Sequence, residues 1–504
     1  MTSNTQTREG SFMRNKTLRA ALASLLLGGA ITACNQELEL TNPNQPSTNS
    51  FWQTQADAIL GINATYNGLM NNGTYGRWEA FVFDLRSDEG MVVSPWTELS
   101  NFTKFTQSDY NFEVPREVWQ HHYQTIFRAN QVVDRVPEIN MDATMRSRIV
   151  GEAKFIRGLL YYNLVNLFGS VPLIVRTAEP TDRPASAGEA DIYTQIEKDL
   201  NDASGVLPTA YSGGDVGRAT KGAALAMLGK AQLQRRNWSA AATTLASVIA
   251  IPGYDLMANY ADNFTDKFEN NKESVFEVQF GDETQLSAGV RGLNIPKMIG
   301  PCGGPSYCDG RPTRWFFDQF MIEKTVTGGV DPRLDATLFY NYPGATVYGV
   351  PFLANGRGPN DIFFKKYGEY YIPNNDQNWD NPINYRVIRF ADVLLMEAEA
   401  LNELGNTAGA YQFINRVRAR AQLAPLPAGL TQAQMRDRIL KERLLEFGLE
   451  AQRWNDLKRH NLLSKSLAVN DPEYNFFVPG KSENLPIPQT EIDLNPNVRQ
   501  NPGW

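Results

Sequence analysis

Between Thr220 and Ile251, and again between Val393 and Ala421, small and apolar residues recur at helical spacing on both sides of a short polar break. In the first stretch, Ala223 to Gln234 leads to Arg235-Arg236-Asn237 and then Ala240 to Ile249. In the second, Val393 to Leu404 turns at Gly405-Asn406-Thr407 and continues from Ala408 to Ala421. Ala223, Ala224, Gly229, Ala231 and Ala240 to Ala242 carry little side-chain bulk, so two helices can approach closely there. Other segments extend the pattern. Thr54-Gln55-Ala56-Asp57 has capping-box form, with Ile59, Ile62, Tyr66 and Leu69 following at helical spacing. Glu117 to Val136 predicts a helix ended by Pro137, and Met145 to Phe168 one stopped by Gly169. Ile192 to Leu207 predicts a further helix, and Thr431 to His460 a long helix or helix pair with Ile439, Leu440, Leu444, Phe447, Leu449 and Trp454 in its core.

Helices do not fill the chain. Residues 74–111 and 252–384 are rich in Gly, Pro, Asn and aromatics, with only strand-like runs such as Glu273 to Phe280. Stretches this long without helix are usually functional. The helical pairs, of roughly 34 residues, resemble tetratricopeptide repeats in period and in their small and apolar positions, without the full consensus. The expected architecture is therefore mainly α: a tetratricopeptide-like helical-repeat scaffold carrying a large irregular, loop-rich insert. Its scaffold covers 49–73, 112–251 and 385–465, its loop-rich region 74–111 and 252–384, and its C-terminal segment 466–504.

The N-terminus carries a different message. Arg14, Lys16 and Arg19 precede an uncharged run from Ala20 to Ala30, and Ile31-Thr32-Ala33-Cys34 closes it. A basic start, a short apolar core and small residues before a cut form an export signal. The run falls short of the roughly 20 residues that span a bilayer. A branched residue, small ones and then Cys resemble the lipobox of bacterial lipoproteins, where the thiol is acylated. Residues 1–33 are thus expected to be removed, Cys34 lipidated, and 34–48, polar with Pro43 and Pro46, to act as a tether. The net charge of −7, with no basic stripe, argues against nucleic acid. Cys302 and Cys308 bracket Gly-Gly-Pro-Ser-Tyr; in an oxidising compartment they read as a disulfide. Zinc would need two further ligands, and no His lies nearby in sequence.

Five motifs then occur in order. Glu152-Ala-Lys-Phe-Ile-Arg157, with Tyr161-Tyr162 and Leu167 to Leu173, is one; Tyr385 to Asn402 is another, read as a helix. Glu442-Arg-Leu-Leu-Glu-Phe-Gly-Leu-Glu-Ala-Gln-Arg-Trp-Asn-Asp-Leu-Lys-Arg459 is the third, and the ending, from Leu485-Pro-Ile-Pro488 to Asn501-Pro-Gly-Trp504, joins the lipobox to complete the set. Together they resemble the SusD/RagB family from Cys34 to Trp504. Asn455 and Ala451 depart from its pattern, where an aromatic and a Gly or small polar residue are common. The resemblance implies a lipid-anchored, surface-exposed outer-membrane protein that captures oligosaccharides, or in some branches peptides. It also implies a partner, a TonB-dependent barrel transporter of the SusC type on which the protein sits as a lid. A helical-repeat scaffold that binds only protein partners is the alternative from a different class.

The candidate chemistry is weighed accordingly. Glu442, Glu446, Glu450 and Arg453, spaced three to four apart, lie along one helix face and read as an ion-pair network rather than a catalytic set. Glu397 and Glu399 read as packing and solvent positions, and His121 and His122 as surface or supporting residues. Asp88 and Glu89, beside Ser87, are adjacent and so poorly suited to flanking one glycosidic bond, and no nucleophile-elbow, nucleotide-loop or zinc-helix motif occurs. An enzyme is not expected. Sugar binding asks instead for rings that stack on C–H faces and planar polar groups that meet hydroxyls. Tyr75 to Trp78 with Asp88, Trp96, Glu98 and Asn101 offers both, as do Tyr307, Asp309, Arg311, Arg314 and Trp315 on the cysteine loop. The expected ligand residues are Trp78, Asp88, Trp96, Asn101, Tyr307, Arg311 and Trp315, with Tyr367 to Tyr371 and Trp379 as a weaker third set. Asn374 to Asp380 carries enough oxygen ligands for calcium but lacks EF-hand spacing; no other metal or cofactor is expected.

Overall fold

The computed structural model describes residues 51–281, 291–304, 306–373, 379–468 and 476–504. Cys34, the 34–48 tether and residues 374–378 of the calcium candidate lie outside them. Helix α1 (Gln55–Asn67) begins at Thr54, whose hydroxyl accepts from the Asp57 amide while the Asp57 carboxylate accepts from the Thr54 amide. α2 (Glu113–Arg135) starts four residues before the expected Glu117, because Pro115 falls in the first turn, where a missing N–H goes unfelt. α3 (Ala143–Phe168) stops at Gly169, whose φ of 71° requires glycine's freedom. α4 (Glu189–Val206), α5 (Lys221–Gln234) and α6 (Trp238–Ile249) follow. Each of these helices packs on the one before it. After the insert, which contains α7 (Arg314–Ile322), the array resumes with α8 (Phe390–Glu403) directly against α6, and α9 (Thr407–Arg420) against α8. The fold is mostly helical, as the periodicity implies.

The insert is built differently. Strand β1 (Gly90–Val92) pairs antiparallel with β3 (Gly310–Pro312), β2 (Ser274–Val278) with β6 (Tyr385–Arg389), and β4 (Leu338–Tyr340) with β5 (Ile362–Phe364). Two expectations need correction here. Tyr385 to Asn402 is not one helix: Tyr385-Arg-Val-Ile-Arg389, branched at its centre, is a strand buried throughout, and helix starts only at Phe390. The stretches expected to lack helix also hold short ones, Glu79–Phe83, Thr97–Thr103, α7 and Arg333–Thr337 among them.

α10 (Gln432–Phe447) and α11 (Arg453–Arg459) form the helix pair, and charged side chains bury the joint between array and insert. Arg333 of the insert, fully buried, meets Asp331 at 2.7 Å and Glu442 at 2.7 Å, with Glu446 at 3.2 Å. Arg389, at the end of β6, reaches Glu273, Glu446 at 2.8 Å and Glu450 at 2.7 Å. Arg420 of α9 joins Glu273 and Glu446. Lys366 bonds Glu450 at 2.9 Å, and Arg453 closes a two-bonded pair with Asp88 at 2.7 and 2.8 Å. Burial pushes the Glu446 carboxyl up, but Arg420, Arg389 and Arg333 outweigh it and hold the group well below the usual carboxylate range. On the same principle Lys230 and Arg443 hold Asp392 down to about 2 against its burial. Glu399 is no solvent position: it is buried and pairs with Arg459 at 2.7 Å and with His460 at 2.8 Å. His122 is likewise buried, its ring nitrogen 2.7 Å from the Val118 carbonyl.

Between α10 and α11 the chain bends sharply. Leu449 and Ala451 take φ of 63° and 58°, conformations that cost a non-glycine residue roughly 1–3 kcal/mol each. Glycine would be unstrained at the position of Ala451. Gly448 is needed for another reason: a Cβ there would come within 2.4 Å of the Phe316 ring. Two carboxyls of the 84–89 turn hold the bend, Asp84 accepting from the Ala451 amide at 3.0 Å and Glu89 from the Leu449 amide at 3.3 Å. Burial pushes both carboxyls up, Asp84 to about 8, and the charge of Glu450 raises Asp84 further, as that of Asp84 raises Glu89.

Two predictions follow from this joint. Arg389→Met leaves Glu273, Glu446 and Glu450 buried without their shared cation, and should lower the unfolding free energy by about 3–5 kcal/mol in urea titrations. For Asp84 the fold holds the proton more tightly than the unfolded chain, where the group titrates near 3.8. Its stabilising contribution is thus complete below about pH 4, declines as pH rises, and is lost above about 8. The decline is at most about 1.4 kcal/mol per pH unit for one proton. Asp84→Asn keeps an acceptor for the Ala451 amide and should flatten this part of the stability–pH curve; an unchanged slope would contradict the raised proton affinity of Asp84.

Candidate functional site

The tight turn Asn72–Gly76 lies against α2, so close that a Cβ on Gly73 would strike the Glu117 carbonyl at 2.0 Å. Its Gly73 amide donates to His121 Nδ1 at 2.9 Å. The chain beyond it divides two neighbouring side chains. Trp78 turns inward, fully buried, with its indole N–H on Glu117 at 2.7 Å and its ring edge-on to Trp96 at 6.3 Å. Arg77 turns the other way, its guanidinium 4.1 Å from the Trp78 ring centre and 5.1 Å from that of Trp379. Its firm partners are few: Glu113 at 3.6 Å and the Met298 sulfur at 3.6 Å, while its Nε has none among the described residues. Burial lowers its affinity for the proton, and Glu113, Glu117 and Asp309 restore part of it.

Over this guanidinium stand two rings open to solvent. Trp379 is 37% exposed and Tyr307 56% exposed, with ring centres 5.7 Å apart and planes inclined by 47°. Hydrogen bonds to the backbone hold the loops that carry both. Asn294 donates its side-chain amide to the Trp379 carbonyl at 2.6 Å and its backbone amide to the Gly76 carbonyl at 2.8 Å, tying the two loops together. Tyr307 and Asp309 donate their amides to the Lys297 and Met298 carbonyls at 2.8 and 2.7 Å. Cys302 and Cys308 are joined by a disulfide that closes the Tyr307 loop on itself. The Lys297 ammonium lies 5.5 Å from the Tyr307 ring centre. Burial pushes the Asp309 carboxyl up, while Ser94 and Arg77 pull it down. The result is a fixed aromatic platform edged by a cation, an acid and a half-paired guanidinium.

Of the expected ligand residues, Tyr307 lies on this platform. Trp96 stands behind it, half-buried between Trp78 and Phe112. Two assignments are corrected: Trp78 has no exposed face for a ligand, and Asp88 is consumed by its buried pair with Arg453. Arg311 braces the disulfide, 2.9 Å from Cys302 Sγ and 3.7 Å from Asp361. Asn101, on the Thr97–Thr103 helix, accepts from the Thr106 hydroxyl at 3.2 Å, and Trp315 lies half-buried on α7. Trp379, placed in the weaker set with Tyr367 to Tyr371, proves central to the platform. Asn294 and Lys297 went unnoticed, and nothing local marks them beyond an Asn shortly before Pro296.

Comparison with known proteins adds the following. Residues 272–504 match the profile described as the SusD family, and 38–233 that described as "Starch-binding associating with outer membrane". The chain is 27% identical to SusD-like protein P25 of Formosa agariphila, over 92% of this chain and 94% of that one. Its fold superposes on a SusD superfamily protein of Bacteroides vulgatus with a TM-score of 0.82 and 28% identity, covering 90% of this chain and 100% of the other. A laminarin-binding SusD-like protein is 30% identical over 90% of this chain and 100% of its own, with a TM-score of 0.75. With both halves matched and this relative covered in full, the chain belongs to the SusD/RagB family.

Proposed function

We propose that this protein captures oligosaccharides at the cell surface and passes them to a TonB-dependent outer-membrane transporter, while lipid on Cys34 and the 34–48 tether hold it at the membrane. The observation that carries the reading is the exposed Tyr307–Trp379 pair over Arg77. A pyranose offers C–H groups on one face and hydroxyls at its rim. The rings supply dispersion and apolar contact for the first; the partly exposed Arg77 guanidinium and the Lys297 ammonium at the platform's edge supply polar partners for the second. Because the disulfide and Asn294 already fix the rings, little ordering entropy is lost on binding.

Retention and hand-off, rather than turnover, is the activity that this site favours. Glu113 pairs with Arg77 at 3.6 Å, and the Asp309 carboxyl, pushed up by burial, is pulled back down by Ser94 and Arg77, so both carboxyls are engaged by neighbouring groups rather than set apart as an acid and a base. A relative named for laminarin binding supports a glycan as the ligand. Transport fits the same picture, since a tethered body stays near a membrane channel at high effective concentration.

The test is affinity electrophoresis through gels containing laminarin, starch, xylan or mannan, with calorimetry on whichever retards the protein. Trp379→Ala and Tyr307→Ala should each weaken binding about tenfold or more without a change in melting temperature. Failure of the wild type to bind any of the four would count against glycan capture, as would the appearance of reducing ends over time against a non-enzymatic role.

A further inference from the structure

Away from this platform, a second set of rings gathers round one carboxylate. β4 ends at Tyr340, and the chain turns immediately to set Tyr342 at the surface, 44% exposed. The two ring centres are 5.0 Å apart with planes inclined by 46°, and Phe317 of α7 abuts Tyr340 from behind at 5.4 Å. Asp335, on the short helix Arg333–Thr337, points into the group. Burial, and then the Asp335 charge, push the hydroxyls of Tyr340, Tyr342 and Tyr370 up. Lys365 pairs with Asp335 at 3.3 Å and sets its ammonium 4.4 Å from the Tyr370 ring centre. Asp335 keeps 59% of its side chain in water, so this ion pair contributes little to stability.

Packing accounts for one side of Tyr370, on the buried cluster, and of Tyr340, on Phe317, but not for Tyr342 and Asp335, which stay open to solvent. The rings that do pack here are Phe339, Tyr348, Phe352 and Phe363, buried on the inner side of the strand pair. A protein-docking surface is disfavoured too, since interface cores are depleted of charge and this one is built around an exposed acid and a lysine. Offset rings with polar groups at their edges instead repeat, with different residues and a different support, the chemistry of the Tyr307–Trp379 platform. The two surfaces also share a foundation. Tyr370 and Cys302 both pack on the same buried cluster, and the Cys302 disulfide holds the Tyr307 loop.

We propose that Tyr340, Tyr342 and Tyr370, with Asp335 and Lys365, form a second carbohydrate-contact surface that takes a further stretch of the polysaccharide held at Tyr307 and Trp379. The inference rests on the glycan-capture reading. A polymer that touches both surfaces binds the second as an intramolecular step, so retention of long chains gains more than either contact gives alone. A short oligosaccharide, seated on the first platform, gains nothing from the second.

The experiment compares Tyr342→Ala, Asp335→Asn and Trp379→Ala with the wild type, using the polysaccharide among laminarin, starch, xylan and mannan that retards the wild type and a hexasaccharide cut from it. Tyr342→Ala should weaken polymer retention by about 3- to 10-fold while hexasaccharide affinity stays within about twofold. Asp335→Asn should shift retention the same way, Tyr342→Phe should restore most of it by keeping the ring, and Trp379→Ala should lose both ligands. Unchanged polymer retention in Tyr342→Ala and Asp335→Asn would overturn the second surface and leave the first platform standing. Equal loss of hexasaccharide and polymer in Tyr342→Ala would overturn it as a separate surface. If the wild type is retarded by no polysaccharide, the capture reading fails and this inference with it.

Discussion

The ion pairs buried between α10 and the insert are the constraint on which the rest of the structure hangs. Glu442, Glu446 and Glu450 sit one turn apart on the same helix and its bend, and each draws in an arginine or lysine from a different part of the chain. Arg333 and Lys366 come from the insert, Arg389 from the strand that closes it, and Arg420 from the helical array. Such pairs add little net stability over apolar packing, because desolvation of the charges consumes much of the attraction. What they supply is exclusivity. A buried charge tolerates only the arrangement that meets it, so the insert can dock on the array in one register.

That docking reaches the candidate site through two short paths. The 84–89 turn is held from both sides, by Arg453 on Asp88 and by the amides of Leu449 and Ala451 on Glu89 and Asp84. The turn leads directly into β1, which pairs with β3 and so places the disulfide loop that bears Tyr307. On the other side, the Asn72–Gly76 turn is pressed on α2 and tied through Asn294 to the backbone of Trp379. The two exposed rings therefore stand on elements anchored at separate places in the helical frame. A platform held at both ends needs no rearrangement to receive a flat ligand face.

Much of the scaffold was legible in the sequence, because a helix writes its burial locally. A period of 3.6 residues marks the array, and spacing of three to four along Glu442, Glu446 and Glu450 marks a charged stripe. The partners of that stripe were not legible. Arg333 lies 109 residues from Glu442 and Asp88 lies 365 from Arg453, and no local pattern encodes such pairings. The same limit explains the aromatic residues. Trp78 and Trp379 both sit among polar and glycine-rich neighbours, yet one is sealed inside and the other is open, since what covers Trp78 is α2 with Glu117. Tyr385 to Arg389 is buried at every position, so it lacks the alternation that marks a half-exposed strand, and the family resemblance carried the helix expectation back across it. Asn294 illustrates the harder case: its role exists only because two distant loops meet there.

The central claim is that a cooperative, ion-paired frame holds the aromatic loops in place before any ligand arrives. Native-state amide hydrogen exchange with and without a bound polysaccharide tests it most directly. Amides of β6, α10 and α11 should exchange only through global unfolding, and ligand should add protection in residues 72–78 and 294–309 without altering that frame. Exchange of α10 or α11 through low-energy local opening, or ligand protection falling on those helices rather than on the loops, would contradict it.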